Sequence, residues 1–132
     1  MNLLRDEPQR FGEKLGATRW GGTLYELGPG DASRYHWQVG EEEWLVVIAG
    51  RPTLRTPDGE RVLEPWDTAV CVRGEAGAHQ LKNETDEPVR VAWFSTISDP
   101  EVVVYPDEDR IGVVAQWSRD DRETIRGWVD RR

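Results

Sequence analysis

The apolar residues of this chain come in short runs rich in Val, Leu, Trp and Tyr, each cut within a few residues by Gly, Pro, Asp or Asn. A chain punctuated in this way cannot lay a long apolar stripe along a helix, so its core has to be built by pairing short strands into a sandwich or barrel. Thr56-Pro57-Asp58-Gly59-Glu60 is the sharpest example, because an Asp-Gly pair suits the positive backbone angles of a tight hairpin. Runs at 19–27, 34–38, 43–49, 52–55, 61–63, 68–72, 78–82 and 89–95 are therefore read as strands, with short further pairings at 102–105 and 111–115. The last stretch differs. Ser118 followed by Asp121 resembles a helix N-cap with an acidic first turn, and Ile125, Trp128 and Val129 fall at helical spacing. The expectation is an all-β barrel over 14–116, an N-terminal tail or arm over 1–13, and a short C-terminal helix or tail over 117–132. A length of 132 residues suits one core and not two.

Charge and cysteine usage narrow the classes. With 17 Lys plus Arg against 25 Asp plus Glu, the net charge of -8 argues against nucleic acid or anionic lipid as a partner. No apolar run is long enough for a signal peptide in the first residues or for a membrane span anywhere, which reads as a cytoplasmic protein. The one cysteine, Cys71, excludes an internal disulfide and a zinc site made of thiolates. Flanked by Ala69, Val70 and Val72, it reads as a buried strand thiol.

The chain has two histidines. Residues two apart on a strand share a face, so His36 and Gln38 point one way and Tyr35 and Trp37 the other. A turn at Val39-Gly40 returns an acidic cluster, Glu41-Glu42-Glu43, in which Glu43 shares its parity with Leu45 and Val47. His36, Gln38 and Glu43 thus converge, and His79 supplies a second imidazole from a later strand. Two imidazoles and a carboxylate suit one divalent transition metal among iron, manganese, nickel, copper and zinc. Spacing alone leaves the ordinary alternatives open: a histidine satisfied in a core, and a solvated acidic hairpin.

The run from Gly30 through His36, Gln38 and Glu43 to Gly50 resembles the first motif of the cupin superfamily: glycine, five residues, His-x-His, four residues, Glu, six residues, glycine. Gln38 stands where that motif has its second histidine. The second motif is similar to Leu63-Glu64-Pro65-Trp66-Asp67 through His79 and Asn83, with Trp66 in place of a turn glycine, Val72 in place of a proline, and a run to His79 two residues longer. Together with Lys14-Leu15-Gly16, the block 51–60, Gly77-Ala78-His79-Gln80 and Val104-Tyr105-Pro106-Asp107, these segments resemble small bacterial single-domain cupins over residues 14 to 110. The resemblance implies a double-stranded β-helix, or jelly roll, with a metal in the barrel mouth held by His36, Gln38, Glu43 and His79, a small-molecule ligand there, and assembly as a homodimer.

Gln38 leaves two outcomes. An amide oxygen is a weaker donor than imidazole, so the substitution either lowers affinity for late transition metals or marks a barrel that has lost its metal and holds an organic ligand by hydrogen bonds. Two functions follow: a metal-dependent oxygenase or isomerase acting on a small molecule, or a barrel that binds a sugar or aromatic ligand without turnover. The apolar outer face carrying Trp37, Trp44, Val46 and Ile48 needs cover, from the terminal segments or a second subunit.

Overall fold

The structure is a computed structural model that describes residues 11–116 and 124–130. In chain order a helical turn α1 (Phe11–Lys14) is followed by β1 (Trp20–Leu27), β2 (Trp37–Gln38), β3 (Glu43–Ala49), β4 (Thr53–Thr56), β5 (Gly59–Val62) and β6 (Thr68–Cys71). A 3-10 turn at Glu75–Gly77 then leads to β7 (Gln80–Lys82), β8 (Val89–Thr96), β9 (Glu101–Tyr105), β10 (Arg110–Gln116) and β11 (Thr124–Asp130). The expected all-β architecture holds. The strands form three antiparallel sheets, ordered β1-β8-β3-β6, β11-β10-β9-β2 and β5-β4-β7. The Asp58-Gly59 signal marks the β4–β5 hairpin, where Thr56 pairs with Gly59 at φ 117°.

Strand alternation decides what lies inside. On β3, Leu45 and Val47 are fully buried while Trp44 and Ile48 are exposed, so the inner face is set by the parity that begins at Glu43. Leu45 and Val47 pack with Leu54, Leu63, Leu81, Val89 and Val91 in one cluster, with Tyr25, Leu27 and Trp93 against it. Each such aliphatic side chain contributes about 1.5–3 kcal/mol on burial. Cys71 is buried on β6, as its neighbours indicate. Asn83 is buried too, and its amide is saturated: it donates to the Leu27 and Glu87 carbonyls and accepts from the Thr85 N–H and hydroxyl. That network fastens the β7–β8 turn to the end of β1.

The terminal segments depart from expectation in one respect. Thr124–Asp130 is not helical; it is a strand antiparallel to β10, in register from Arg110↔Asp130 to Gln116↔Thr124. Thr124, Ile125 and Val129 are β-branched and Gly127 is a poor helix former, so local helical preference was weak, and the open edge of β10 offered a full ladder of backbone partners. Ser118 and Asp121 lie outside the described residues. At the other end, α1 brings Phe11 within 6.0 Å of the Trp20 ring and 5.7 Å of the Phe94 ring, covering one end of the outer sheet face. Gly12 permits this seating, since a Cβ there would lie 2.7 Å from the Gly22 nitrogen.

Gly77 is required sterically. A Cβ at this position would lie 1.7 Å from the Val72 carbonyl oxygen, and rigid backbone has nowhere to move. Gly77→Ala is expected to destabilise the fold by about 3 kcal/mol in urea unfolding monitored by tryptophan fluorescence. An unchanged midpoint would mean the turn is not seated as described.

Candidate metal centre

His36 and His79 are 43 residues apart in the chain, yet they exchange both backbone hydrogen bonds across an isolated antiparallel bridge, at 3.1 Å and 2.9 Å. Residues directly opposite in such a pair present their side chains on the same face, and the two rings lie 4.5 Å apart between centroids. Glu43 begins β3 and shares the inner face with Leu45, so its carboxylate enters the same space. Its Oε2 is 2.8 Å from His79 Nε2 and 3.9 Å from His36 Nε2. One donor atom from each of His36, Glu43 and His79 lies within 4.8 Å of the other two.

The tautomers follow from the hydrogen bonds. His36 Nδ1 is 2.9 Å from the Arg34 carbonyl, and His79 Nδ1 is 2.9 Å from the Gly77 carbonyl. A carbonyl only accepts, so each Nδ1 carries the proton and donates it, which turns the Nε2 atoms toward Glu43. His79 Nε2 is buried and has no aligned hydrogen-bond partner, although Glu43 Oε2 is only 2.8 Å away. Donors meeting at close range without hydrogen-bond alignment suit a cation between them, at metal–ligand distances of about 2.0–2.2 Å. Outer hydrogen bonds from ligating histidines to carbonyls are the usual support for such sites.

The electrostatics agree. Burial opposes a charge on His79, but its interactions with the Cys71 thiol and the Glu43 carboxylate prevail and push its pKa up to about 10. Burial, followed by the neighbouring His79, lowers that of His36. The centre therefore attracts a positive charge to Nε2 of His79, where a bound metal ion would take the proton's place.

Gln38 lies one strand step from His36, and its amide donates to Glu41 Oε2 at 3.2 Å. Glu41 Oε1 accepts from the Ser98 N–H at 3.1 Å. Burial, opposed by that N–H and reinforced by the charges of Glu101 and Glu43, pushes the Glu41 pKa up to about 7. Glu101 is buried; its Oε1 accepts from the Gly40 and Val102 N–H groups, both at 2.8 Å, and its Oε2 has no hydrogen-bond partner. Sequence reasoning missed Glu101, because nothing local distinguishes it from a solvated strand end. Cys71, the buried strand thiol expected from its neighbours, also pairs with Glu43 across the β3–β6 ladder, and its thiol meets the His79 ring.

A cavity of about 190 Å³ opens beside the three donors. Thr23, Tyr25, Ser33 and Ser95 line it with hydroxyls, and Leu27, Leu81, Val91 and Trp93 give it apolar wall.

A family model described as Cupin domain matches residues 23–95. No curated protein matches the chain. Among solved structures, a sugar phosphate isomerase of the cupin superfamily from Silicibacter pomeroyi superposes with a TM-score of 0.83 at 25% identity, covering 93% of this chain and 74% of that one. A candidate sugar phosphate isomerase from Acidithiobacillus ferrooxidans superposes at 0.79, also at 25% identity and with the same coverage. A cupin protein from Bacteroides fragilis, 15% identical with a TM-score of 0.61 over 74% of this chain and 82% of its own, shares the fold. The barrel is therefore a cupin jelly roll.

A carboxyl whose pKa is raised by folding binds its proton more tightly in the fold, so it costs stability as pH rises from its ordinary value of 4.5 through about 7. Glu41→Gln removes that cost. In metal-free protein the variant is expected to gain about 1 kcal/mol over wild type at pH 8, after allowance for solvent screening, and little or nothing at pH 4. Equal gains at the two pH values would show that Glu41 is not held as described.

Proposed function

The chain belongs to the cupin family, and we propose that it acts there as a metal-dependent isomerase of a small hydroxylated carbonyl compound. The ion would be held by His36, Glu43 and His79, with Gln38 as a fourth donor. One observation carries the metal assignment: two histidines whose Nδ1 atoms are bonded to carbonyls, with both Nε2 atoms turned to one carboxylate oxygen. Gln38 suits the fourth place because its amide nitrogen is engaged by Glu41 and its oxygen remains for an ion. When bound, the metal supplies Lewis acidity toward a substrate oxygen.

The reaction class is supported by the likeness to two structures named for sugar phosphate isomerisation, at 25% identity over 93% of the chain. It is also supported by the cavity. Thr23, Tyr25, Ser33 and Ser95 offer donors and acceptors to substrate hydroxyls, while Trp93 and Leu81 limit water beside them. An isomerase moves one hydrogen between adjacent carbons and requires no oxidant. We place it in the cytoplasm; no helix among the described residues is long and apolar enough to cross a membrane.

Elemental analysis of untagged protein is expected to give near one equivalent of one transition metal, absent from His79→Ala while circular dichroism stays unchanged. Gln38→His should tighten metal binding several-fold. Equal metal content in wild type and His79→Ala would overturn the site, and no metal after reconstitution would leave a ligand-binding barrel.

Assembly as a homodimer belongs to the same proposal. After α1 has covered Phe94, the outer face of the first sheet still exposes Trp44, Ile48 and Val70, with Trp66 and Val72 nearby. An apolar cluster of this kind is unusual on a monomer and suits a self-complementary contact. Sedimentation should give twice the 15.1 kDa chain mass, reduced to the monomer by Val70→Glu.

A further inference from the structure

Cys71 is a soft donor beside the metal centre that the function proposed above leaves without a task. Burial along β6 and just beyond it alternates: Val70 and Val72 are 61% and 46% exposed, while Cys71 between them is 6% exposed. The thiol therefore faces into the barrel. Its partner in the β3–β6 ladder is Glu43, and residues directly opposite on antiparallel strands carry their Cβ atoms on one face, about 4.5–5.5 Å apart. Strand register alone makes Cys71 the neighbour of the carboxylate assigned to the ion.

The chain then folds back and brings a second ligand to the same thiol. Val72 follows Cys71, and Gly77 precedes His79 by two residues. The loop between them closes so tightly that a Cβ on Gly77 would lie 1.7 Å from the Val72 carbonyl oxygen. The Gly77 carbonyl accepts from His79 Nδ1, and the Cys71 thiol meets the His79 ring. His79 is 2% exposed, and its Nε2 has no aligned hydrogen-bond partner. A buried nitrogen with a carboxylate oxygen at 2.8 Å and a thiol against its ring, yet aligned with no hydrogen-bond partner, suits a cation shared among them.

Charge favours the sulfur as well. Two neutral imidazoles and one carboxylate leave a dication with one uncompensated positive charge in a buried site, and the neutral Gln38 amide does not change that sum. A thiolate brings the sum to zero.

We propose that Cys71 binds the ion as a thiolate together with His36, Glu43 and His79, which makes the centre one for a thiophilic dication such as zinc in preference to manganese or magnesium. The ligand role rests on the metal assignment made above. On binding, the S–H bond breaks heterolytically, the proton passes to solvent, and the sulfur electron pair forms the bond to the ion; nothing is oxidised or reduced. The sulfur stands outside the tightest group of three donors, so ligation takes a rotation about χ1, helped by a metal–sulfur bond of about 2.3 Å, longer than one to nitrogen. Gln38 brings the donors to five, a number that zinc accepts.

Cobalt(II) is the probe, titrated as its chloride into the full chain after chelator treatment, in thiol-free buffer. Cobalt held by the histidines and Glu43 gives ligand-field bands in the visible, and a thiolate adds an intense sulfur-to-cobalt charge-transfer band in the near ultraviolet. Cys71 is the only cysteine of the chain, so that band has one source in it. Wild type is expected to show both sets of bands, and His79→Ala neither. Cys71→Ala, with circular dichroism unchanged, should keep the visible bands, lose the charge-transfer band, and bind zinc at least about tenfold more weakly and manganese within about twofold of wild type. X-ray absorption at the zinc edge of wild type, which needs no variant, should show one sulfur neighbour at about 2.3 Å. Visible bands without the charge-transfer band, or a zinc edge with nitrogen and oxygen neighbours alone, would overturn the thiolate and leave the metal centre standing. Equal losses of zinc and manganese affinity in Cys71→Ala would also overturn it, since a thiol that only packs against His79 acts on every metal alike. Absence of all bands from wild type would overturn the metal assignment and the thiolate together.

Discussion

The paired backbone hydrogen bonds between His36 and His79 are the constraint on which the rest of the site depends. With the Ala32↔Lys82 bridge and the backbone bonds from Ser33 to Leu81 and from Asn83 to Asp31, they join the segment before β2 to β7, and therefore two of the three sheets. Because the two residues are directly opposite, their rings must emerge on one side; because each Nδ1 is bonded to a carbonyl two residues earlier in its own chain segment, each ring has one orientation. Glu43 arrives from a third strand whose buried Leu45 and Val47 lock its register. The donors are thus arranged by backbone pairing and core packing, and an ion would enter a site already built. Preorganisation of this kind avoids the conformational cost of gathering ligands at the moment of binding.

Much of this was legible in the sequence. Alternation assigned Glu43, and not Glu42, to the inner face of β3, since its parity continues through two fully buried aliphatics, while Glu41 shares that parity and lies before the strand begins. The hairpin at Asp58-Gly59 and the buried thiol at Cys71 were equally local. The failures were non-local. The segment 124–130 carries helical spacing of apolar residues, but its fate was decided by the unpaired edge of β10, a partner that local sequence does not reveal. Glu101 looks like any acid at a strand end; only the fold shows that Gly40 lacks the Cβ that would strike Ser98 Oγ at 2.3 Å, so that β9 approaches and its carboxylate takes the Gly40 N–H.

The glycines at the edges of the site illustrate how little of its geometry comes from the functional side chains themselves. Gly77 must lack a Cβ to pass the Val72 carbonyl, and its own carbonyl then orients His79. Gly50, at φ 81°, brings the end of β3 onto the Pro88 carbonyl, which a Cβ would approach to 2.6 Å. A change at Gly77 therefore reaches the His79 ring through the backbone.

Charge is distributed with the same logic. On a chain with eight more acids than bases, Glu43 meets both imidazoles, whereas burial resists the ionisation of Glu41. An ion at the trio would lower the cost of ionising Glu41, because it offsets the repulsion from Glu43, so metal affinity and the charge state of the Gln38–Glu41 pair are linked through one electrostatic balance. The substitution of histidine by glutamine at position 38 then has a consequence beyond weaker ligation. If Gln38 is the fourth donor proposed above, its amide would join the ion to that ionisable carboxylate, and an imidazole committed to the ion would not also donate to Glu41 from the same atom.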